Sequence, residues 1–304
     1  MRFVFNLLDV GLGNNGGSRT IIKCGEALAS LGIEVIMYSN VQSGYTWHEP
    51  KGVKFVYGDK LPKCNILCAT GYKSVKTTVK AKAKKKIYYI RGFELWQANE
   101  NDLIKSYRSL NCIVNSEWLQ AYLKKHGINS SVVYPGLDEY FKDEGSSRSD
   151  IFGSLFHKKH KTKRHEDAQK VEEISGYTLQ MMNKYIKGAG PSEVNSWYNT
   201  LKVWFAPTES EGLHNPPMES ALAGCALVCT NHKRSGMSDY AVHDQTALVY
   251  EARDTATAAT YVSRLMRDED LRRKLNSNMV ILLNEKIGSR QKNMKRLVEV
   301  INAL

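Results

Sequence analysis

Residues 202–225 decide the fold of this chain: they read Lys202-Val-Trp-Phe-Ala206, then Pro207-Thr-Glu-Ser-Glu-Gly-Leu-His-Asn-Pro-Pro-Met-Glu-Ser-Ala-Leu-Ala-Gly-Cys225. The first part has the apolar composition of a buried strand, and the end of the second part favours a helix. The loop between them carries two carboxylates, Glu211 and Glu219. Ligands of open α/β sheets bind outside the carboxyl ends of strands and at helix N-termini. Both carboxylates are therefore candidates for charge-assisted hydrogen bonds to a polyhydroxylated ligand.

The same alternation of strand and helix runs through the whole chain. A strand at 2–8, a glycine-rich turn, a helix that stops at Gly32 and a strand at 33–38 form a β-α-β unit. Further strands are predicted at 53–57, 64–70, 86–90, 111–114, 131–134, 151–155, 177–182, 202–206, 226–230 and 247–250. Helices are predicted at 73–84, 99–108, 116–125, 166–174, 192–200, 217–224, 255–276 and 289–304. This alternation predicts parallel sheets that are covered on both faces.

The length of 304 residues exceeds the usual size of one core, so we predict an α/β protein of two Rossmann-like lobes. The polar, Gly/Ser-rich stretch 143–150 favours a linker. The predicted domains are an N-terminal lobe at 1–142 and a C-terminal lobe at 143–285. Residues 286–304 are predicted to form a helix that packs back toward the N-terminal lobe.

Composition excludes several classes of protein. With 42% hydrophobic and 24% charged residues, the chain is neither disordered nor collagenous. No apolar run reaches the ~18 residues of a membrane span, and no charged-then-apolar leader precedes the first strand. We therefore expect a cytoplasmic protein, or at most one that is peripheral to a membrane. The six cysteines favour buried free thiols, because their spacing matches no usual zinc or redox signature.

The charge of the chain is unevenly distributed. The net charge is +12, and residues 1–140 carry +8 of it. Ten basic residues and no acidic one lie between Asp59 and Glu94. Such a density of one sign attracts polyanions, whether nucleic acid, anionic lipid head groups or a phosphorylated acceptor. The lysines predicted to contact this partner are Lys73, Lys76, Lys80, Lys82, Lys84, Lys85 and Lys86.

The glycine-rich turn after the first strand satisfies G-x-G-x-x-G through Gly11, Gly13 and Gly16. Three interpretations stay open. A dinucleotide site would also need a carboxylate at the end of the second strand, which instead ends Tyr38-Ser-Asn40. The glycines could simply allow a sharp bend. Alternatively, the bare backbone at Gly16 and Gly17 approaches a phosphate or a sugar.

Three segments, residues 16–35, Val133–Asp138 and 207–225, together resemble a GT-B-fold glycosyltransferase of the large family-4-type retaining group. The resemblance implies two Rossmann-like lobes with a cleft between them. It also implies that Glu211 binds a hydroxyl of the donor sugar and that Glu219 hydrogen-bonds the nucleotide ribose. A helix-cap or salt-bridge role is the alternative for Glu219.

The resemblance extends the predicted donor site along the turn that follows Glu211. The backbone N–H groups around Gly212 and Leu213 would help to hold the sugar. His214 replaces the aromatic or small residue often found there, and it either touches the sugar or fills the turn. Asn215 completes the predicted donor-binding loop.

The family also places a basic pair against the donor diphosphate. Ser154 stands where an arginine is usual, and Lys163 and Arg164 are the available replacements. Arginine would hold the diphosphate through two hydrogen bonds, and lysine would act as a point charge. Lys158, Lys159 and Lys161 are interpreted as a solvated surface.

The first lobe departs from the family pattern where a histidine is usual. The sequence there is Tyr89-Ile-Arg-Gly-Phe-Glu-Leu-Trp96. Arg91 or Glu94 could take over a contact to sugar or phosphate and is a candidate catalytic residue, or the two could form a salt bridge between lobes. Trp96 and Trp47 could form an acceptor platform, or they could be core aromatics.

The activity that the resemblance implies is transfer from a nucleotide sugar, with a UDP-sugar as the expected donor and with retention of configuration. No Asp-x-Asp motif is evident in the loops of the predicted donor site, so a metal is not expected to be required. The basic first lobe favours an anionic acceptor, and hydroxymethylated pyrimidine in DNA, as in a phage-like enzyme, is the first hypothesis. A lipid-linked or polysaccharide acceptor at a membrane is the alternative. A non-catalytic nucleotide-binding or nucleic-acid-binding protein is the hypothesis from another class.

Overall fold

The computed structural model describes residues 1–8, 12–13, 16–41, 48–157, 161–186 and 188–304. Two compact units are present: one is Met1–Gly136 with Ser289–Leu304, and the other is Leu137–Gly288. Both are built from parallel strands that alternate with helices, which confirms the predicted α/β class.

The first unit contains a seven-stranded parallel sheet. Its strands are β1 (Arg2–Asn6), β2 (Glu34–Ser39), β3 (Val53–Tyr57), β4 (Cys64–Ala69), β5 (Ala83–Ile90), β6 (Asn111–Val114) and β7 (Ser130–Val132). The strand order is β3-β2-β1-β4-β5-β6-β7. Its first helices are α1 (Gly16–Ser30), α2 (Tyr72–Lys80), α3 (Glu100–Tyr107) and α4 (Glu117–Lys125).

The second unit contains a five-stranded parallel sheet and a two-stranded one. Its strands are β8 (Ser149–Ser154), β9 (Thr178–Met181), β10 (Leu201–Ala206), β11 (Ser210–Glu211), β12 (Ala226–Asn231), β13 (Arg234–Ser235) and β14 (Leu248–Glu251). The larger sheet has the order β14-β12-β10-β8-β9, and β11 pairs with β13. Its helices are α5 (His165–Ser175), α6 (Met182–Tyr185), α7 (Pro191–Thr200), α8 (Asn215–Leu222), α9 (Thr255–Arg267) and α10 (Glu269–Leu282).

The last helix, α11 (Arg290–Ala303), belongs to the first unit. Its Leu297 and Ile301 are fully buried in the core of that unit, where each such side chain contributes roughly 1.5–3 kcal/mol. The Arg290 guanidinium donates to the Pro135 carbonyl at 3.0 Å. Gly136 has φ +83°, and a Cβ there would lie 2.3 Å from the Arg290 Cα, so no side chain fits at this position.

The boundary between the units falls at Gly136–Leu137. The stretch 143–150, for which the sequence favours a linker, is tied into the second unit. Arg148 donates to the Leu201 carbonyl at 2.8 Å and to the Ala223 carbonyl at 2.6 Å. These two hydrogen bonds attach the stretch around Arg148 to the start of β10 and to the end of α8.

Two predicted helices differ from the structure. The single helix predicted at 255–276 is two helices, because Asp268 interrupts it and accepts a hydrogen bond from the Leu271 N–H at 2.9 Å as the cap of α10. The helix predicted at 73–84 ends at Lys80, and β5 begins at Ala83.

All six cysteines are free, and five of them are buried. Burial raises the pKa of the Cys68, Cys112, Cys225 and Cys229 thiols to about 12. The expected buried thiols are thus found, with Cys64 only half-buried. Among the described residues, no helix combines the length and apolar composition that crossing a membrane requires.

Candidate active site

The second unit has its topological switch point at β8, which pairs with β10 on one side and with β9 on the other. Ligands of open parallel sheets bind outside the carboxyl ends of the strands at such a point. The residues after β8 lead to a short 3₁₀ turn, Lys161–Lys163, and those after β10 lead to Glu211. The two loops are joined directly, since the Glu209 N–H donates to the Thr162 carbonyl at 2.8 Å.

At this point Lys163 and Glu211 form an ion pair. Only 15% of the Lys163 side chain and 25% of the Glu211 side chain are exposed. Burial lowers the pKa of the Lys163 ammonium to about 8, and the adjacent carboxylate opposes that shift because it favours the charged form. The pair places one cation and one carboxylate, both largely shielded from water, at the switch point of the sheet.

The loop that carries Glu211 is held from three sides. Glu211 pairs with Ser235 in the two-stranded sheet. The Tyr240 hydroxyl donates to the Leu213 carbonyl at 3.3 Å and to the His214 carbonyl at 3.0 Å. A Cβ at Gly236 would lie 2.0 Å from the Gly212 oxygen, so the backbone can approach this closely only with glycine. These contacts hold the backbone that carries the Glu211 carboxylate in one conformation.

We expect Gly236→Ala to lower the free energy of unfolding by about 1–3 kcal/mol, because the new methyl group must displace the backbone of the Glu211 loop. Thermal unfolding of the purified variant measures this effect. Gly92→Ala is the matched control, since a Cβ there meets only Trp96 at 3.7 Å. An equal change in both variants would contradict the role assigned to the close approach at Gly236.

The turn after Gly212 leads into α8 through His214, which has φ +64° and is buried. Leu213 is buried and Asn215 is half-buried. Pro216 and Pro217 occupy the first turn of α8, where missing N–H groups cost nothing. The turn is thus fixed at the N-terminal end of a helix, whose dipole favours electron-rich ligand atoms although the two prolines supply no N–H groups there.

Glu219 is half-buried in α8, on the first turn after the two prolines. It follows Glu211 by eight positions, and the same loop and helix carry both carboxylates. The predicted contact of Glu219 with a nucleotide ribose stays a prediction.

Arg164 is engaged within the unit. It caps α5 with φ +48°, and its guanidinium donates to both oxygens of the buried Asp167, at 3.0 and 2.7 Å. Glu209 lies 3.8 Å from it and accepts from Arg253 at 2.8 Å. Asp167 raises the pKa of Arg164 further. These contacts favour a positioning role for Arg164, in contrast to the diphosphate contact that the resemblance implies, and leave Lys163 as the cation of the site.

In the first unit, Gly16 and Gly17 open α1. Arg91, directly after β5, donates to the Gly17 carbonyl at 2.8 Å and to the Thr70 carbonyl at 3.2 Å. Among the described residues outside its own helical turn, none would lie within 4 Å of a Cβ at Gly16. Gly11 of the same turn lies outside the described residues.

The Glu94 side chain caps the N-terminus of α2. One of its carboxylate oxygens accepts from the Tyr72 N–H and from the Tyr88 hydroxyl, each at 2.8 Å. Burial raises the pKa of Glu94, and those two hydrogen bonds oppose the shift. The contacts therefore favour a structural role over the predicted catalytic one. Trp96 is 62% exposed and hence no core aromatic, while Trp47 lies outside the described residues.

The seven lysines of the basic segment do not form one surface. The Lys85 ammonium donates to the last carbonyls of α11, and the Lys86 ammonium donates to the Val79 and Ala81 carbonyls at the end of α2. Lys80, Lys82 and Lys84 are exposed where α2 ends and β5 begins, the amino-end edge of the sheet. The remaining two, Lys73 and Lys76, are exposed in the first half of α2. Most of this charge thus lies at the amino ends of the strands, whereas parallel sheets bind ligands at the carboxyl ends.

Several residues that shape the site have no signal in the sequence pattern. Asp167, Gly236 and Tyr240 are distant from the motif in sequence and act only through the fold. Glu209 could have been found as a further carboxylate two residues before Glu211. Lys161 is exposed, as expected of a solvated surface, and 158–160 lie outside the described residues.

The chain has relatives among known proteins. The family Glycosyl transferases group 1 matches residues 116–279. The capsular polysaccharide biosynthesis glycosyltransferase CapM of Staphylococcus aureus is 24% identical over 250 residues, which cover 75% of this chain and 60% of that protein. The chain therefore spans about 60% of the length of this curated relative.

Solved structures give the same picture for the fold. Sucrose-phosphate synthase from Thermosynechococcus elongatus superposes with a TM-score of 0.81 at 12% identity, covering 99% of this chain and 98% of that one. HepE from Anabaena, solved in complex with UDP-glucose, gives a TM-score of 0.77 at 12% identity, covering 100% of each chain. At such low identity these similarities concern the fold, which is the GT-B architecture that the sequence predicts.

Proposed function

The chain belongs to the glycosyl transferases group 1 family, and we propose that it moves a glycosyl group from a nucleotide-sugar donor to a hydroxyl acceptor. The observation that carries this proposal is the Lys163–Glu211 ion pair at the switch point of the second sheet. A cation and a carboxylate side by side match a donor that joins a diphosphate to a polyhydroxylated ring. A UDP-sugar is the proposed donor, since HepE binds UDP-glucose.

Each group has a distinct proposed task. Glu211 accepts hydrogen bonds from the sugar hydroxyls, and the backbone around Gly212 and Leu213 assists it. Lys163 neutralises the diphosphate, and Glu219 accepts from the ribose. Charge-assisted hydrogen bonds of this kind are roughly twice as strong as neutral ones. In the first unit, the backbone at Gly16 and Gly17 is a further candidate contact.

Catalysis then consists mainly of positioning and electrostatic stabilisation. When the bond between the sugar and the diphosphate breaks, negative charge grows on the leaving phosphate oxygen. The proposed role of Lys163 is to stabilise that charge, and the N-terminus of α8, close in sequence to Glu211, supports it. Retention of configuration is a proposal that rests on the family resemblance, and the anomeric proton coupling of the product would test it.

Assays with a panel of nucleotide sugars test the activity. We expect calorimetry to detect binding of UDP and of at least one UDP-sugar, and we expect slow hydrolysis of that sugar in the absence of an acceptor. Nucleotide binding without hydrolysis or transfer for any donor would favour the non-catalytic alternative. Absence of binding to every nucleotide would contradict the proposed function.

For the acceptor, a lipid-linked or polysaccharide glycan is favoured over DNA. CapM acts in capsular polysaccharide biosynthesis, and five of the seven lysines that suggested DNA lie at helix ends or at the amino-end edge of the sheet. Hydroxymethylated pyrimidine in DNA stays a proposal that direct assay can decide. Incubation with the accepted donor and either hydroxymethylcytosine-containing DNA or a lipid extract, followed by mass spectrometry, separates the two.

Combined replacement of Lys80, Lys82 and Lys84 by glutamine tests what this exposed charge does. We expect weaker association with anionic vesicles and with DNA, and a salt dependence of DNA binding reduced by about 2–3 in logarithmic slope. Donor hydrolysis should stay unchanged, because these side chains lie away from the carboxyl ends of the strands. Loss of hydrolysis in a folded variant would contradict this placement. Matched replacement of the exposed Lys124 and Lys125 on α4 is the control.

A further inference from the structure

His214 combines two unfavourable features. It is only 5% exposed, and neither of its ring nitrogens has a hydrogen-bond partner among the described residues. A buried polar group without a partner loses its hydrogen bonds to water and gains none in return, which destabilises the folded state. Its φ of +64° lies in the left-handed region, which is unfavourable for a residue with a Cβ. Such costs are concentrated at functional sites.

The fold does not require an imidazole at this position. The backbone of the turn is held by the Tyr240 hydroxyl, which donates to the His214 carbonyl at 3.0 Å, and by the close approach of Gly236. Glycine or asparagine would adopt the same backbone conformation at lower cost. The side chain itself therefore needs an explanation that lies outside the folding of the turn.

The chemistry of the ring indicates what it can bind. Burial, together with the positive charge of Lys163, lowers the pKa of His214 well below its usual value, so the ring is neutral. A neutral imidazole offers one N–H donor and one nitrogen acceptor. A hydroxyl group matches both, whereas an anion can only accept and is better served by the cation of Lys163.

We propose that His214 hydrogen-bonds a hydroxyl of the donor sugar, next to the hydroxyl that Glu211 binds, and so determines which sugar is accepted. The inference rests on the proposed function and deepens it. His214 follows Glu211 by three positions, and its ring lies close enough to Lys163 for that charge to act on it, so the ring belongs to the same part of the site. His214 then contributes to recognition of the sugar and not to recognition of the nucleotide.

The test compares three variants with the wild-type protein. His214→Phe keeps a flat ring without polar atoms, His214→Asn keeps a donor and an acceptor and tolerates a positive φ, and His214→Gly removes the side chain. Calorimetry measures the Kd of UDP and of the UDP-sugar that the wild type accepts. We expect a Kd for UDP within about twofold of wild type in all three. The Kd for the UDP-sugar should rise about tenfold in His214→Phe and His214→Gly, and less in His214→Asn.

The outcomes distinguish the inference from the proposed function. If the wild type binds the UDP-sugar and the variants bind it equally well, or lose UDP and UDP-sugar affinity in parallel, the inference is wrong and the proposed function stands. If the wild type binds no nucleotide or nucleotide sugar, both are wrong. Because two of the variants suit the backbone of the turn, a failure of His214→Phe to fold would leave the comparison intact.

Discussion

Replacing Glu211 by glutamine should reduce transfer from the UDP-sugar by about 10²–10³-fold, the range found when one preorganised charged or polar contact to a reacting group is removed. Glutamine preserves the shape and one acceptor oxygen of Glu211 but removes the charge that the sugar hydroxyls would meet. Affinity for UDP alone should be retained or should increase, because Lys163 no longer has a carboxylate as its competing partner.

The fold should survive this change. A partly exposed ion pair contributes about 1 kcal/mol or less, so the melting temperature should shift by no more than about 2–4 °C. Kinetic assays, calorimetry with UDP and thermal unfolding measure the three quantities. Glu269→Gln is the matched control, because that carboxylate pairs with Arg273 on the exposed surface of α10. A variant that unfolds, or one that transfers sugar at the wild-type rate, would show that Glu211 is structural or dispensable.

The sequence predicts the fold and the centre of the site because both depend on local patterns. Apolar strands followed by turn residues and amphipathic helices recur along the chain, and this alternation determines parallel sheets. The strand at 202–206, the carboxylate at Glu211 and the helix at 217–224 are consecutive in sequence. Their placement at the carboxyl edge of the sheet follows from chain direction alone, and the structure has β10, β11 and α8 in that order.

The partners of charged side chains are not predictable in this way. The sequence shows that Arg164 is near Lys163, but the αL conformation at Arg164, which directs the chain into α5 and brings Asp167 within 2.7 Å, follows only from the folded loop. In the same way, Lys85 looks like one more exposed lysine. Its ammonium donates to carbonyls at the end of α11, and one of them, the Ile301 carbonyl, is 216 positions away in sequence.

Element ends are also set by groups that the hydrophobic pattern does not include. The segment 82–84 is rich in lysine and falls within the helix predicted at 73–84, yet from Ala83 onward the chain pairs with β4 as part of a central strand. Long lysine side chains can bury their methylene groups along a sheet while the ammonium reaches a helix end. Whether a helix end lies within reach of the ammonium depends on the tertiary structure. It cannot be predicted from a short stretch of sequence.

Lys163 should make donor binding depend on pH in a defined direction. Burial lowers the pKa of Lys163 to about 8, so the ammonium loses its proton as the pH rises through 8, and binding that needs the cation weakens above that value. When one proton is taken up per ligand bound, the affinity for UDP should fall about tenfold per pH unit above pH 8. The nearby His214 stays neutral across this range, because burial and the charge of Lys163 lower its pKa.

Two substitutions separate this effect from the ionisation of the nucleotide. Lys163→Arg keeps its charge throughout the range, so its affinity for UDP should stay level from pH 7.5 to about 9.5. Lys163→Met should bind UDP about 10–100-fold more weakly at pH 7.5, since a hydrogen bond to a charged group contributes about 1.5–3 kcal/mol, and it should show no loss above pH 8. Calorimetry at half-unit steps of pH measures all three curves. If the affinity for UDP declines in parallel in the wild type and in Lys163→Arg, another group titrates. The proposed contact of Lys163 with the diphosphate would then be unsupported. A decline in the wild type alone would instead tie the pH dependence of donor binding to Lys163, the partner of Glu211 among the described residues.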